Sequence, residues 1–351
     1  MGMSMGMEMK LARYEGNPIL QPRGYGWESV AVFNPTAIHK GGKIHLLYRA
    51  VGDYADYASQ VGYAAFDEEL RLLSRSEEPV FGPDQRLWEV SVEDPRLTEI
   101  DGQLYMTYVV TPTPSPPGAV RRRLGIPRRQ EAITRIALAR IEDDFRGFTR
   151  LGIITPYGAD ERDTVLFPER IDGRYAVLHR PSNWVGPRYG TELPGIWFAY
   201  LDIDLELDDL GNPSGGRMYG HRLVMSPREE WESSKIGPGP SPIKTERGWL
   251  LIYHGVDRDR IYRAGAALLD LKEPWRVIAR TKEPILVPEE PYELEGDMPR
   301  VVFPEGAVVI DGRLLVFYGG ADKVCCVAEV ELDELIEYLL HLENATDHEV
   351  T

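Results

Sequence analysis

The chain has 351 residues, 43% of them hydrophobic, and a formal charge of -16. That length admits two ordinary domains or one large all-β unit, and the apolar fraction fits a globular protein with a sizeable core. The acidic balance argues against an electrostatically driven nucleic-acid binder, though it leaves room for a local basic pocket.

The opening MGMSMGMEMK has neither the apolar stretch nor the small-residue cleavage site of a signal peptide. No apolar run downstream approaches the roughly 18 residues that span a membrane. The two cysteines, Cys325 and Cys326, are neighbours and cannot staple a fold. A reduced, cytoplasmic setting is expected. The seven histidines show no metal-ligand spacing, so no metal is expected, and no organic cofactor is indicated.

Along the chain one pattern recurs five times. A glycine opens an apolar run that ends in an aromatic residue or histidine: Gly42 to Tyr48, Gly102 to Tyr108, Gly173 to His179, Gly248 to His254 and Gly312 to Tyr318. The aligned glycines are 60, 71, 75 and 64 residues apart. Each has a proline upstream, at Pro35, Pro95, Pro168, Pro242 and Pro304. Asp-Gly between apolar runs signals a tight hairpin, because glycine accepts the positive φ of the turn. Proline before a strand fits a strand end, where its missing N–H leaves no gap. Five such units point to radial packing, each covering its neighbour's apolar face. The expected fold is therefore all-β, a five-bladed β-propeller over about 14–330. A sandwich with chance Asp-Gly turns is the competing fold.

Two segments break the pattern. Thr111 to Gln130 is rich in proline and arginine and reads as a long exposed loop. After the last repeat, Leu332, Leu335, Ile336, Leu339 and Leu340 recur at helical spacing. They predict a C-terminal amphipathic helix over about 331–344, packed on the propeller as part of one catalytic domain spanning 1–351.

In a propeller, repeat-equivalent positions near the axis converge on a central cavity. Just before the repeated prolines stand Asn34, Asp94, Phe167, Ser241 and Phe303, of which Asp94 alone is a carboxylate. A carboxyl group in a partly desolvated cavity can serve as a proton donor. Equally, Asp before Pro often caps a turn. A second feature is a set of cations around repeats three and four: Arg162, Arg180, Lys235 and His254. Arginine forks and lysine point charges hold phosphate oxygens, although each residue alone is more ordinarily a surface ion pair. An inverting glycosidase needs a second carboxylate as base, whereas phosphate is already a nucleophile. One acid facing a basic cluster therefore fits phosphorolysis better than hydrolysis.

These motifs resemble glycoside hydrolase family 130, the β-mannoside phosphorylase family. The resemblance runs from about Tyr14 to Glu329. It is carried by the order and spacing of Tyr14-Glu15-Gly16-Asn17-Pro18-Ile19-Leu20, Phe33-Asn34-Pro35, Leu47-Tyr48-Arg49-Ala50, Glu93-Asp94-Pro95-Arg96, Val165-Leu166-Phe167-Pro168-Glu169, Leu178-His179-Arg180, Lys235-Ile236-Gly237-Pro238-Gly239 and Tyr318-Gly319-Gly320-Ala321-Asp322. It implies a central site in which Asp94 protonates the glycosidic oxygen through the mannose 3-hydroxyl. Phosphate then attacks with inversion to give α-mannose 1-phosphate and a shortened acceptor. It further implies that Asn34, Arg49 and Asp322 hold the mannose, that Arg162, Arg180, Lys235 and His254 hold phosphate, and that Tyr262 faces the acceptor sugar. β-1,4-linked mannooligosaccharides or a mannosyl-glucose substrate come first, with β-1,2-linked mannosides next. Family hydrolases lack the basic cluster. The loop Thr111 to Gln130 departs from the family pattern, which leaves the acceptor site and a homo-oligomer open. The other readings are a hydrolase whose base is Asp163 or Glu93, and a non-catalytic carbohydrate-binding propeller.

Overall fold

The computed structural model describes residues 9–87, 89–111, 117–124, 133–142, 145–203 and 217–347. Five antiparallel sheets form five blades. Blade one comprises Ala31–Lys40, Lys43–Val51, Ser59–Phe66 and Leu72–Arg75. Blade two comprises Ser91–Ile100, Gln103–Thr111, Arg135–Ile141 and Phe148–Ile153, and blade three Glu161–Leu166, Tyr175–Pro181, Ile196–Asp202 and Arg217–Met225. Blade four has Lys235–Pro238 and Ile243–Thr245 innermost, then Gly248–Val256, Tyr262–Leu269 and Val277–Arg280. Blade five runs Val302–Ile310, Arg313–Gly320 and Val324–Glu331, and its outermost strand is Ala12–Arg13 from the other end of the chain.

The repeated glycines lie in the hairpins between first and second strands. Asp101-Gly102, Asp172-Gly173 and Asp311-Gly312 hold consecutive φ values from +49° to +82°, as a two-residue turn with the strands' own twist requires. Blade four departs: Thr245 Oγ1 accepts from Arg247 N and Gly248 N to close its turn.

Apolar faces are buried between blades. Leu47 and Val61 of blade one meet Leu97 and Met106 of blade two, and Val109 and Leu138 meet Leu166 and Val177. Phe167 and Phe198 meet Trp249 and Leu251, while Val32 and Leu46 meet Phe317 and Val327 to close the ring. The predicted helix forms as Leu332–Asp347, and Leu335, Ile336 and Leu339 bury against Leu250, Leu268 and Val316 of blades four and five. The segment expected to be a loop instead contains a short helix, Gly118–Leu124, with Val120 buried. Its stretches 112–116 and 125–130 lie outside the described residues.

A buried ionic triad recurs in four blades. A second-strand tyrosine donates to a glutamate from the segment before the inner strand, and an arginine of the fourth strand donates to the same carboxylate. The triads are Tyr48–Glu28–Arg75, Tyr108–Glu89–Arg150, Tyr253–Glu232–Arg280 and Tyr318–Glu293–Arg13. The tyrosine–glutamate distances are 2.9, 2.9, 2.8 and 2.7 Å in that order. Each triad pins the blade's outer strand to the loop that feeds its inner strand. Blade three differs: His179 Nδ1 lies 3.0 Å from Glu161 Oε2, and His179 Nε2 lies 3.2 Å from His221 Nδ1.

Candidate active site

The inner strands of blades one, two, three and five each carry a bulge, where the pairing slips between Phe33 and Thr36, Glu93 and Arg96, Arg162 and Val165, and Pro304 and Gly306. Such a bulge re-aims a side chain. Asn34, Asp94 and Asp163 occupy it with φ of +51°, +51° and +60°, a conformation that Asn and Asp tolerate better than most residues. Opposite Tyr48, Tyr108, His179, Tyr253 and Tyr318 thus stand Asn34, Asp94, Asp163, Pro238 and Pro304, so that in blade four the structural register falls on Tyr253, one residue before the His254 that closes the sequence repeat. This corrects the ring expected from the prolines. Phe167 and Ser241 lie further along the chain, Phe303 stands one residue before Pro304 and faces Gly319, and Asp94 is not the lone carboxylate, because Asp163 is its counterpart one blade on. A second ring follows the repeated aromatic on the second strands, and from it come Arg49, Arg180 and His254.

Around Asp94 the network is tight. Asn34 Nδ2 and Arg49 Nη1 both donate to Asp94 Oδ1, at 2.9 and 3.2 Å. Arg49 is held by Ser59 Oγ at 2.7 Å and by Glu93 Oε1 at 3.2 Å, with its guanidinium 4.8 Å over the Phe33 ring. The other oxygen of Glu93 pairs with Arg162 Nη1 at 3.5 Å, joining the Asp94 group to the cations. Asp322, at a left-handed position after blade five's second strand, has its pKa pushed up to about 7. Desolvation is the main cause; the Asp94, Asp297 and Glu93 carboxylates add to it and Arg49 opposes it. Asp297 accepts from Tyr54 and Tyr57, at 2.7 and 3.1 Å.

On the other side, Asp163 bonds Arg180 Nε at 3.0 Å and Arg180 Nη2, and Arg96 Nη2 at 3.0 Å. Burial alone would raise its pKa; Arg180, His254, Arg96 and Lys235 together hold it well below the carboxylate range. His254 is fully buried, with Nε2 3.6 Å from Asp163 Oδ2. Burial lowers its pKa to about 3, helped by Lys235, Arg180 and Arg96 and opposed by Asp163. It is therefore neutral near pH 7, and neither ring nitrogen has a hydrogen-bond partner among the described residues. Lys235 Nζ sits 5.2 Å from the Tyr262 ring centroid, and His254 packs on Phe303 at 4.6 Å.

Beneath the site, Arg96 is the hub. It donates to Pro238 O and Gly239 O of blade four, Asp163 of blade three and Glu305 of blade five. Thr36 Oγ1 accepts from Leu97 N and ties blade one to blade two. Buried Glu305 has its pKa raised well above the usual range, burial first and the Asp94 charge next.

The sequence-selected residues thus fall into two linked groups. Asn34, Arg49, Asp94 and Asp322 share one; Arg180, Lys235 and His254 share the other, with Tyr262 against it; Arg162 connects them through Glu93. Glu93, Arg96, Asp163, Asp297 and Glu305 were not selected as site residues for the phosphorolytic reading. Glu93 and Arg96 flank Asp94 in a motif already noticed. Asp163 follows Arg162 directly, but without a proline after it the repeat register conceals its position.

No helix among the described residues is long and apolar enough to cross a membrane. The chain was compared with known proteins. The glycoside hydrolase 130 family model, described as beta-1,4-mannooligosaccharide phosphorylase, matches residues 7–341. A 1,2-beta-oligomannan phosphorylase of Thermoanaerobacter sp. (strain X514) is 38% identical, covering 93% of this chain and 99% of its own. A beta-1,2-mannobiose phosphorylase of the same organism is 37% identical with the same coverage. Among solved structures, the beta-1,2-mannobiose phosphorylase of Listeria innocua, in complex with beta-1,2-mannobiose, superposes with a TM-score of 0.73 at 26% identity, covering 94% of this chain and 99% of that one. With the blades, the bulged inner ring and these matches together, the chain belongs to glycoside hydrolase family 130.

Proposed function

We propose that the protein is an inverting β-mannoside phosphorylase. The carrying observation is the state of Asp163 and Glu93, the two carboxylates that the sequence offered as bases for water, beside a cationic group. Asp163 is bonded on both oxygens by arginines and Glu93 is paired with Arg49 and Arg162, whereas the Arg162, Arg180, Lys235 and His254 group is suited to an anion. A general base works best with a pKa near the working pH, and the surrounding cations hold Asp163 well below it. Phosphate needs no such base.

In this reading a phosphate oxygen forms a bond to C1 as the bond from C1 to the glycosidic oxygen breaks. Asp94 supplies the proton that leaves with the acceptor hydroxyl, passing it through the 3-hydroxyl of the mannose. The products are α-mannose 1-phosphate and an acceptor one residue shorter, and Asp94 regains its proton from solvent. Asn34, Arg49 and Asp322 would orient the mannose. Arg162, Arg180 and Lys235 would meet the phosphate charge, with neutral His254 offering a ring N–H, and Tyr262 would face the acceptor. The proposal includes no metal or organic cofactor. Two buried free thiols, Cys325 and Cys326, suit a reducing cytoplasmic setting.

For the linkage, the two Thermoanaerobacter relatives matched along nearly their whole length favour β-1,2 over the β-1,4 placed first from sequence. The test supplies phosphate with β-1,2- and β-1,4-mannobiose in parallel. Faster release of mannose 1-phosphate from the β-1,2 substrate is expected. Preference for the β-1,4 substrate would overturn the linkage alone.

A further inference from the structure

Asp163 and Asp94 share one backbone device and are used in opposite ways. Both sit at the bulge with left-handed φ. The bonds Asp94 accepts from Asn34 and Arg49 fall on Oδ1. Asp163 is engaged on both oxygens: Oδ1 by Arg96, Oδ2 by two nitrogens of Arg180. A charge held this way by two guanidiniums is poorly placed to take a proton. It is well placed to orient what it holds.

The surroundings leave it little freedom. The Asp163 side chain is 3% exposed, and a Cβ at Gly237 would stand 2.6 Å from its Oδ2 and 2.6 Å from His254 Cε1. Blade four therefore approaches this carboxylate with bare backbone. Arg180 is further fixed by Nη1 to Ser182 Oγ at 2.6 Å, while its own backbone N–H donates to Glu161 Oε1 at 2.8 Å. Behind Asp163, Arg96 continues to Glu305, so a buried hydrogen-bonded chain, Glu305–Arg96–Asp163–Arg180, runs from blade five through blade two to blade three.

We propose that Asp163 is a positioning residue for the attacking phosphate: it fixes the plane of Arg180 and anchors it to the propeller axis, so that the anion meets a prearranged fork. A free arginine side chain would have to be ordered at each binding event, and that ordering weakens affinity. The inference rests on the phosphorolytic reading above.

Asp163→Asn tests it, because asparagine keeps the size and tolerates the left-handed backbone while removing the charge. The KM for phosphate should rise about 10- to 100-fold, the range for losing a charged hydrogen bond, with the KM for the β-mannoside near wild type. A role in folding alone would lower Tm and kcat and leave the two KM values in their wild-type ratio, which would overturn the proposal. Gly237→Ala presses on this carboxylate and on the His254 ring from blade four and should likewise raise the phosphate KM. If the asparagine variant does not fold, a wild-type phosphate KM in Gly237→Ala would overturn the proposal. Wild-type enzyme without phosphate is the control. Free mannose released there would defeat the phosphorolytic reading itself, whereas a phosphate-dependent wild type with an unaltered KM in the variants defeats only the role of Asp163.

Discussion

Four blades carry their buried charge as a tyrosine, a glutamate and an arginine; blade three carries two histidines and a glutamate in the same radial positions. In the four, the arginine reaches inward from the outermost strand and is spent on the blade itself. In blade three the outer partner is His221, which is neutral near pH 7 because burial, with His179 beside it, lowers its pKa to about 4. Two arginines of this blade instead meet carboxylates at the site: Arg162, on the inner strand, pairs with Glu93, and Arg180, on the second strand, with Asp163. Glu161 has moved with them, from the preceding loop into the inner strand, where it accepts from both Arg180 N and His179. One packing problem is thus solved in two ways, and blade one shows that a blade can keep the tyrosine triad and still send an arginine, Arg49, to the site.

The largest effect should come from the inner ring. Asp94→Asn keeps a residue that tolerates φ of +51° and removes the donated proton, so kcat should fall by on the order of 10² to 10⁴ with Tm almost unchanged. Retention of most activity would remove Asp94 as the acid. Next comes a triad. Glu232→Gln leaves Arg280 without its counter-charge in a buried site and should cost about 3 kcal/mol, read as a lower Tm with both KM values intact. The matching change in blade three, Glu161→Gln, should also raise the phosphate KM, because Glu161 supports Arg180. Equal kinetic effects from the two would erase the distinction between the blades.

Smaller again is an acid effect from one buried histidine in blade three and one in blade four. His221 (about 4) and His254 (about 3) both titrate below the ordinary histidine value of 6.5. The unfolded chain binds protons where the folded chain does not, so their contribution to stability is lost as pH falls from about 6.5 toward 3. His221→Gln should flatten the part of that loss between about 6.5 and 4 in a Tm-against-pH series; an unchanged slope would count against it. The least effect is expected from Tyr108→Phe, which removes one hydrogen bond to a carboxylate that Arg150 still holds, for about 1 kcal/mol by denaturant titration.

The blades were legible in the sequence because an Asp-Gly hairpin writes its demand for positive φ directly into residue type. The terminal helix was legible because its apolar spacing meets a real surface between blades four and five. The inner ring was only half legible. Its registration requires a bulge, and the bulge coincides with a proline in Asn34-Pro35 and Asp94-Pro95 but with Asp163-Thr164 in blade three. Counting from Pro168 therefore placed Phe167 where the fold puts Asp163. The Tyr–Glu–Arg triads were hidden for another reason: their glutamates and arginines lie in segments of varying length, so only the tyrosines keep the repeat. Arg162, Arg180, Lys235 and His254 could be read from the sequence as a group only through their shared place around repeats three and four, since each alone is more ordinarily a surface ion pair. What holds them was not legible, because it depends on contacts between blades.

The account's central claim is that phosphate, rather than water, is the nucleophile. Purified enzyme incubated with β-1,2-mannobiose, with and without inorganic phosphate, tests it most directly. Mannose 1-phosphate should accumulate one for one with free mannose when phosphate is present, and neither should form when it is left out. Mannose appearing at the same rate in both tubes, with no sugar phosphate in either, would contradict it.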